Sequence, residues 1–450
     1  MALTGIQILK MLPKTNCGEC GVPTCLAFAM KVAAGQAEIG ACPYVSEEVK
    51  QQVGEASAPP IRTVKLGSGE NTLEIGGETC LYRHEKRFEH PTGIAVLLTT
   101  DMAEDAIAGR LQRFRDLRYD RVGVLLKADL VAVKDMGQGE PAFTALVQRV
   151  RKECPDAALI LMSDVPEILA AGARACEGHI PLLYCVTRDN VPAMTEVAKE
   201  MGCPLVVKGK TIGETAELAE ELLKAGFKDL VLDTGARTAR AVFEDQVAAR
   251  RAAVRKRYRP LGLPTVAFPC EMVSDPLLEA MIASMLVPKY AGMVILSDLQ
   301  GETLFPLLLE RLNIYTDPQR PMVVKEDIYP VNGPDESSPV LITCNFSLTY
   351  FIVSGEVEGS KVPSWLLIKD TEGLSVLTAW AAGKFSADLI AAFIKKCGIM
   401  DRVKHRSLVI PGYLASIKGE LEEELPDWKI QVGPREASHL PVFLKEWQAA

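Results

Sequence analysis

Eight short apolar runs, separated by longer amphipathic stretches, divide the middle of this 450-residue chain at a nearly even spacing. They are Ile94–Leu98, Val122–Leu126, Ala158–Met162, Pro181–Val186, Leu205–Val207, Leu230–Leu232, Thr265–Phe268 and Met293–Leu296. Each is short and apolar enough to be a strand buried on both faces, as parallel sheets require. The stretches between them, such as Asn190–Met201, Ile212–Ala225 and Asp275–Met285, carry the periodicity of helices with one buried face. Strand and helix alternating eight times predict an α/β fold with a central TIM (β/α)8 barrel; a large doubly wound sheet is the rival arrangement. In a barrel, the polar residues after the strands would share one face: Thr99, Thr100, Asp101, Lys127, Ser163, Asp164, Thr187, Arg188, Lys208, Asp233, Thr234, Ser297 and Asp298. Strand ends are polar wherever a chain leaves its core, and no two of these residues have a spacing that marks acid–base or metal chemistry. The barrel therefore receives no catalytic residue, only a surface suited to docking another domain.

A different pattern precedes the barrel. Four of the twelve cysteines, Cys17, Cys20, Cys25 and Cys42, lie in the first 42 residues as Cys-x2-Cys-x4-Cys-x16-Cys, within the text N-C-G-E-C-G-V-P-T-C and then A-C-P. Four thiolates suit either a tetrahedral zinc or an iron–sulfur cluster. Zinc knuckles usually show two Cys-x2-Cys pairs; a single pair followed by two lone cysteines favours a 4Fe-4S cluster over zinc or an incidental grouping. Gly18 and Gly21 would let the backbone turn tightly and aim N–H groups at sulfur. Cys25–Ala37 reads as a helix, and Gly54–Pro60 as a tether. Ile61–Leu66 and Asn71–Ile75 read as two short strands about the Gly67-Ser68-Gly69 turn. The remaining eight cysteines sit mostly in apolar surroundings and read as core residues.

After Asp317-Pro318, Arg320-Pro321 and a boundary near residue 323, a second α/β pattern begins. Its strands are Val340–Cys344, Trp365–Lys369, Leu408–Ile410 and Lys429–Val432; its helices are about 347–355, 386–396, 415–424 and 438–447. The four strands are followed by Asn345-Phe346-Ser347-Leu348-Thr349, Asp370-Thr371-Glu372-Gly373-Leu374-Ser375, Pro411-Gly412-Tyr413 and Gly433-Pro434-Arg435-Glu436. Ligands of open parallel sheets bind beyond the carboxyl ends of the strands, and loops rich in glycine, hydroxyl and amide groups suit a large cofactor there. No Gly-x-Gly-x-x-Gly is present, so a dinucleotide is not indicated. The divisions expected are residues 1–59, a cluster domain with its tether; 60–91, a short β segment; 92–322, the barrel; and 323–450, a Rossmann-like domain.

Net charge of −8 gives no reason to expect nucleic acid as a partner. The run Arg250, Arg251, Arg255, Lys256, Arg257, Arg259 opposes that balance and reads as the solvated face of a helix, with a docking patch as the other reading. No stretch has the roughly 18–20 unbroken apolar residues of a membrane span, and Met1–Lys14 lacks the parts of a signal peptide. A cytoplasmic protein with reduced thiols is the expectation.

Together, the N-C-G-E-C-G-V-P-T-C…A-C-P start, the eight-unit barrel, and the texts N-F-S-L-T-Y, D-T-E-G-L-S-V-L-T-A and V-G-P-R-E-A-S resemble the large (gamma) subunits of corrinoid iron–sulfur proteins, which also serve acetyl-CoA decarbonylase/synthase complexes. The resemblance covers the whole chain, and its C-terminal texts are the more specific part. It implies a methyl carrier of the reductive acetyl-CoA (Wood–Ljungdahl) pathway, with a cobamide as the reactive centre and no catalytic side chain. Cys17, Cys20, Cys25 and Cys42 would hold the 4Fe-4S cluster. The cobamide contacts it implies are Val340, Thr343, Asn345, Phe346, Ser347, Leu348, Asp370, Thr371, Glu372, Gly373, Leu374, Ser375, Thr378, Pro411, Gly412, Gly433, Pro434, Arg435 and Glu436. None of the five histidines lies in an Asp-x-His-x-x-Gly text, so the cobamide is expected base-off without a histidine below the cobalt, with Ser375 or Thr378 near that lower face unless both simply cap the following helix. The implied partners are a small subunit in a heterodimer, a methyltetrahydrofolate:corrinoid methyltransferase, carbon monoxide dehydrogenase/acetyl-CoA synthase and a low-potential electron donor. The tether and the break near 323 would let the outer domains move. The competing readings are an iron–sulfur electron-transfer protein without corrinoid and a scaffold with a structural zinc.

Overall fold

The computed structural model describes residues 4–33, 36–121 and 124–449. Its strands are, in chain order, β1 Val64–Leu66, β2 Leu73–Ile75, β3 Gly93–Thr99, β4 Tyr119–Arg121, β5 Val124–Leu126, β6 Leu130–Lys134, β7 Ala158–Met162, β8 Leu182–Val186, β9 Leu205–Lys208, β10 Leu230–Asp233, β11 Val266–Ala267, β12 Met293–Leu296, β13 Asp327–Val331, β14 Val340–Cys344, β15 Ser364–Lys369, β16 Ser407–Ile410 and β17 Lys429–Val432. The chain forms two compact units, one of residues 1–118 and 127–315, the other of residues 119–126 and 316–450.

In the first unit, parallel strands follow the order β10-β9-β8-β7-β6-β3-β12-β11, and a bridge between Leu232 and Thr265 joins the two ends of that order into a barrel. Successive strand side chains point to opposite faces, so alternate residues fill the barrel interior: Ala95, Leu130 and Ala132, Ile160, Leu182 and Tyr184, Val206, Val231, and Ile295 among them. The antiparallel pair β1–β2 adds Val64, Leu66 and Ile75 to the same core. It lies at the amino-terminal end of the barrel, where Gly67 bridges Ile180 and Leu73 reaches Gly93 at the start of β3.

Three expectations need correction here. Val122–Leu126 is not the second barrel strand: residues 122–123 lie outside the described residues, and β5 pairs antiparallel with β4 in a hairpin of the other unit. The barrel position belongs to β6, whose first four residues are buried, whereas Val124 and Leu125 are exposed. Two apolar runs lie side by side in sequence, and only the one buried on both faces enters the barrel. Lys127 therefore sits before its barrel strand, bound to Asp156 ahead of β7, and not on the face that carries the strand ends. Gly54–Pro60 is not a loose tether. Helix Glu47–Ser57, capped by Ser46, takes its first half. The rest is strapped down by Arg259, which donates to the carbonyls of Pro59 (2.9 Å) and Ala58 (3.3 Å), and by the Arg62 N–H on Gly262 (2.9 Å). In the basic run, Arg251, Arg255, Lys256 and Arg257 are exposed, but Arg250 is only 4% exposed. Its guanidinium pairs with Glu78 at 3.5 Å and stacks over the Tyr290 ring at 4.5 Å.

The second unit is a five-stranded sheet of order β13-β15-β14-β16-β17, in which β13 is antiparallel and the rest are parallel. Alternation along the strands sends Ile342, Leu367, Leu408 and Ile410 to one face, with Phe385, Ile390 and Leu421, and Leu341, Leu366, Ile368 and Val409 to the other, with Val357, Leu440 and Leu444. The helices Ser347–Ser360 and Leu440–Glu446 therefore cover one face, and Ala387–Lys396 and Lys418–Glu424 the opposite one. The hairpin β4–β5 belongs to this unit, with the Arg121 guanidinium 4.0 Å above the Phe351 ring. Sequence patterning misses β13, whose Pro330 is compatible with an edge strand, and the helix Val376–Ala381.

Candidate cofactor sites

The amino-terminal site is built around a short helix. Thr24 caps Cys25–Ala33, its hydroxyl accepting the Ala27 N–H at 3.1 Å, so Cys25 opens the helix, where backbone N–H groups face outward and favour negative charge. The helix ends at Ala33, short of the expected Ala37, and residues 34–35 lie outside those described. Cys25 and Cys42 are buried in one small core with Ile8, Phe28, Val32, Ile39 and Val53; Cys20 packs at its edge and Cys17 is exposed. All four are free thiols. The Tyr44 phenol is held above its usual pKa chiefly by its hydrogen bond to Glu19 (2.8 Å).

Gly18 and Gly21 both have φ of +79°, the left-handed region that favours glycine. The Gly21 N–H goes to the Gly18 carbonyl (3.0 Å), closing a turn rather than reaching sulfur. The N–H that does reach a thiol belongs to Asn16, 3.4 Å from the Cys25 Sγ. No three Cys, His, Asp or Glu side chains among the described residues are grouped to hold a single metal ion. A four-iron cube takes one thiolate at each of four separate irons, so its ligands stand apart. Free thiols, a helix N-terminus and an N–H···S donor make the segment chemically fit for an anionic cluster.

The second site lies at the carboxyl edge of the five-stranded sheet. The crossovers that leave β14 and β15 use opposite faces, so a crevice opens between β14 and β16. It holds a cavity of about 180 Å³ walled mainly by aliphatic side chains, including Leu341, Ile352, Val353, Val409, Ile410 and Leu440. Of the residues implied by resemblance, Thr343, Pro411, Gly433, Pro434 and Arg435 line it. Thr343 is 2% exposed, and its hydroxyl has no hydrogen-bond partner; the buried Ser347 hydroxyl has none either. A buried hydroxyl without a partner carries a desolvation cost that a polar ligand atom would offset.

Other implied residues build the walls. Asn345 is a latch between loops: its Oδ1 accepts from the Thr371 N–H (3.0 Å), the Thr371 hydroxyl (2.9 Å) and the Gly373 N–H (3.0 Å), and its Nδ2 donates to Asp370 (2.8 Å). A Cβ at Gly412 would stand 2.6 Å from backbone atoms of Gly433, Pro434 and Arg435, so only glycine lets these two loops touch. Glu436 accepts from the Tyr413 hydroxyl at 2.8 Å. Ser375 stands at the N-cap position of helix Val376–Ala381 without a capping bond; its hydroxyl instead meets that of Thr378 at 3.0 Å. Phe346 holds the same position before helix Ser347–Ser360, while Glu372 is exposed and Leu374 packs against one of the sheet's cores. Val340 starts β14 at its amino end and is fully buried in the core, away from the carboxyl edge, so it leaves the candidate set. Sequence reasoning missed Ile352, Val353, Val376 and Leu440, and named Tyr413 only as part of the loop after β16. Ile352 and Val353 stand one turn beyond Thr349, which also lines the cavity, but that spacing does not say which face of the helix meets it. Leu348 (58% exposed), Leu377, Trp380 and Tyr413 add large exposed apolar side chains on the elements that leave this edge.

At the barrel mouth, charged and polar side chains pair with one another. Asp233, 2% exposed, accepts from the Tyr184 hydroxyl (2.7 Å) and from Arg237 (2.8 Å), which also binds Glu271 (2.5 Å) and lies over the Phe268 ring. Asp298 takes two nitrogens of Arg113, and Ser163 donates to Asp135. Asp233, Asp298 and Ser163 are thus each engaged by a neighbouring side chain.

Comparison with known proteins brings both sites into one frame. Residues 63–444 match the profile of the CO dehydrogenase/acetyl-CoA synthase delta subunit family, and residues 12–44 match that of an Fe-S cluster family. The chain is 44% identical over 445 residues to the corrinoid/iron-sulfur protein large subunit of Moorella thermoacetica, covering 99% of each. It is 33% identical to the acetyl-CoA decarbonylase/synthase complex subunit gamma of Methanopyrus kandleri, covering 99% of this chain and 98% of that one. It is 31% identical to the subunit gamma of Methanothermobacter thermautotrophicus, covering 99% of both. No helix among the described residues is long and apolar enough to cross a membrane.

Proposed function

The chain belongs to the family of corrinoid/iron-sulfur protein large subunits, the gamma subunits of acetyl-CoA decarbonylase/synthase complexes, and on that premise we propose that it is a methyl carrier in acetyl-CoA synthesis. When bound, a corrinoid supplies a cobalt centre that accepts and donates a methyl group, and a 4Fe-4S cluster supplies the electron that returns that centre to its reactive state. The observation that carries the reading is the pairing, in one chain, of four free cysteines near the N-terminus with an apolar crevice that holds an orphaned hydroxyl.

Cys17, Cys20, Cys25 and Cys42 hold the cluster. The loops after β14, β15, β16 and β17 hold the corrinoid. Thr343 and Ser347 offer hydroxyls to its polar edge, aliphatic walls exclude water, and the Asn345 latch keeps the first two loops in register. The two histidines of this unit support a corrinoid without a histidine ligand. The His405 ring is engaged with the Ser338 carbonyl (2.9 Å) and the Ser407 N–H (3.1 Å), and neither His405 nor His439 lines the cavity. Ser375 and Thr378, whose hydroxyls meet at 3.0 Å, would supply polar groups to the corrinoid. The partners proposed are a small subunit, a methyltransferase that draws on a methylated pterin, an acetyl-CoA synthase and a low-potential electron donor.

The test is anaerobic purification with reconstitution, followed by metal counting and absorbance. One cobalt and about four iron per chain, with corrinoid bands in the visible spectrum, are expected. Iron without corrinoid uptake would replace this reading with that of an electron carrier, and zinc alone with that of a scaffold.

A further inference from the structure

Asn16 precedes the first cysteine and makes no expected cluster contact, yet it closes a two-bond clamp on Cys25. Its backbone N–H donates to the Cys25 Sγ at 3.4 Å, and its side-chain Oδ1 accepts the Cys25 N–H at 2.8 Å. The residue sits at φ +50°, a left-handed conformation in which asparagine is enriched over most residues with a Cβ. The second bond satisfies one of the N–H groups that the start of helix Cys25–Ala33 leaves without an intrahelical partner. Residue type, backbone conformation and both bonds thus serve one end: they hold residue 16 against the sulfur of residue 25, nine positions away.

We propose that Asn16 is a positioning residue for the iron–sulfur cluster, fixing the Cys25 sulfur and raising the cluster's reduction potential through its N–H···S bond. The proposal rests on the reading of Cys25 as a cluster ligand. One-electron reduction adds negative charge to the cluster, and part of that charge resides on the ligand sulfurs. An N–H donor on such a sulfur stabilises the reduced form more than the oxidised form, so the potential rises. The side-chain bond acts separately, tying the loop to the first residue of helix Cys25–Ala33.

The two effects separate by substitution. Asn16→Gly keeps access to positive φ and so keeps the N–H on sulfur, but loses the Oδ1 acceptor. Asn16→Ala loses the acceptor and disfavours positive φ as well, which turns the N–H away. The experiment uses the full chain, anaerobically reconstituted, with dithionite as reductant and the cluster's own electron paramagnetic resonance as the signal. Iron per chain and the rate of iron loss to a chelator are measured in parallel. The potential is expected to fall in N16A and to stay near that of the parent in N16G, with faster iron loss in both. Equal potentials in all three proteins, or a fall in N16G as large as in N16A, would overturn the role assigned to the N–H···S bond. Unchanged iron loss in both variants would overturn the clamp. A parent chain that takes up no cluster would instead overturn the cluster assignment itself, a different failure read before any variant is made.

Discussion

The barrel and the five-stranded sheet are built from the same strand–helix unit, but their carboxyl edges end differently. In the barrel, closure brings strand ends around a ring until they face one another. Tyr184, Asp233, Arg237 and Glu271 meet there and satisfy each other across the mouth. In the open sheet, the β14 and β16 loops diverge to opposite faces, and what remains between them is a cavity of about 180 Å³ with an unpartnered Thr343 hydroxyl. Closing a sheet spends its polar strand ends on one another; opening it at a reversal of strand order leaves them for a ligand.

Four outcomes would break or sharpen this contrast. Replacing Arg237 with methionine strips Asp233, 2% exposed, of its ion-pair partner. The barrel should lose about 3–5 kcal/mol in chemical denaturation, as expected when one member of a buried pair is removed. Corrinoid uptake by the folded variant should be unchanged; a matching loss of corrinoid affinity would show that the mouth is not merely structural.

Gly412→Ala acts on the other edge. Its Cβ would press to 2.6 Å on the backbone of Gly433, Pro434 and Arg435. A cost of about 1–3 kcal/mol is expected from the strain, with weaker corrinoid binding by absorbance titration.

Thr343→Val should give two effects of opposite sign. Removing the orphaned hydroxyl stabilises the ligand-free chain by about 1 kcal/mol, and it weakens corrinoid binding by a similar amount, roughly fivefold. A variant that binds as tightly as the parent would mean that Thr343 meets no polar atom of the ligand.

The smallest effect concerns acid. The Arg149 and Arg115 side chains hold the Glu153 carboxyl below the usual range. Its folded pKa lies below its unfolded one, so its stabilisation is present above the unfolded value, about 4.3, and disappears as pH falls through the folded value. Glu153→Gln should flatten this part of the acid limb followed by circular dichroism, by less than about 1 kcal/mol for so accessible a pair.

Much of this architecture was legible in the sequence, for local reasons. Ala158–Met162 and Met293–Leu296 stand where their apolar runs put them, because burial on both faces excludes polar residues from a strand. The residues just after β16 and β17 were legible as cavity candidates from their place at strand ends, and Pro411 and Gly433 do line it, whereas Thr343, inside β14, was pointed to by the family resemblance alone. The misreadings share a cause. Val122–Leu126 and Leu130–Lys134 are equally apolar neighbours, and nothing local says which pairs with β3; register with Ala95–Thr99 decides it for the latter. Arg250 belongs to a basic run by composition, but its place on the helix turns it onto Glu78 and Tyr290. Ile352, Val353 and Leu440 enter the cavity wall through the way two helices lie on the sheet, which their own periodicity does not specify.

The amino-acid order alone determined most of the strand segments, that four thiols are concentrated in the first 42 residues, and that the loops of the last sheet carry small and polar groups. Those are properties of neighbours in the chain, set by side-chain period and backbone freedom. Tertiary structure decided which apolar run joins the barrel, which arginine is buried, that Asn16 reaches the sulfur of Cys25, and that a crevice opens between β14 and β16. Each of these joins residues distant in sequence, and such contacts are chosen by sheet register, crossover side and packing, which no short stretch of chain contains.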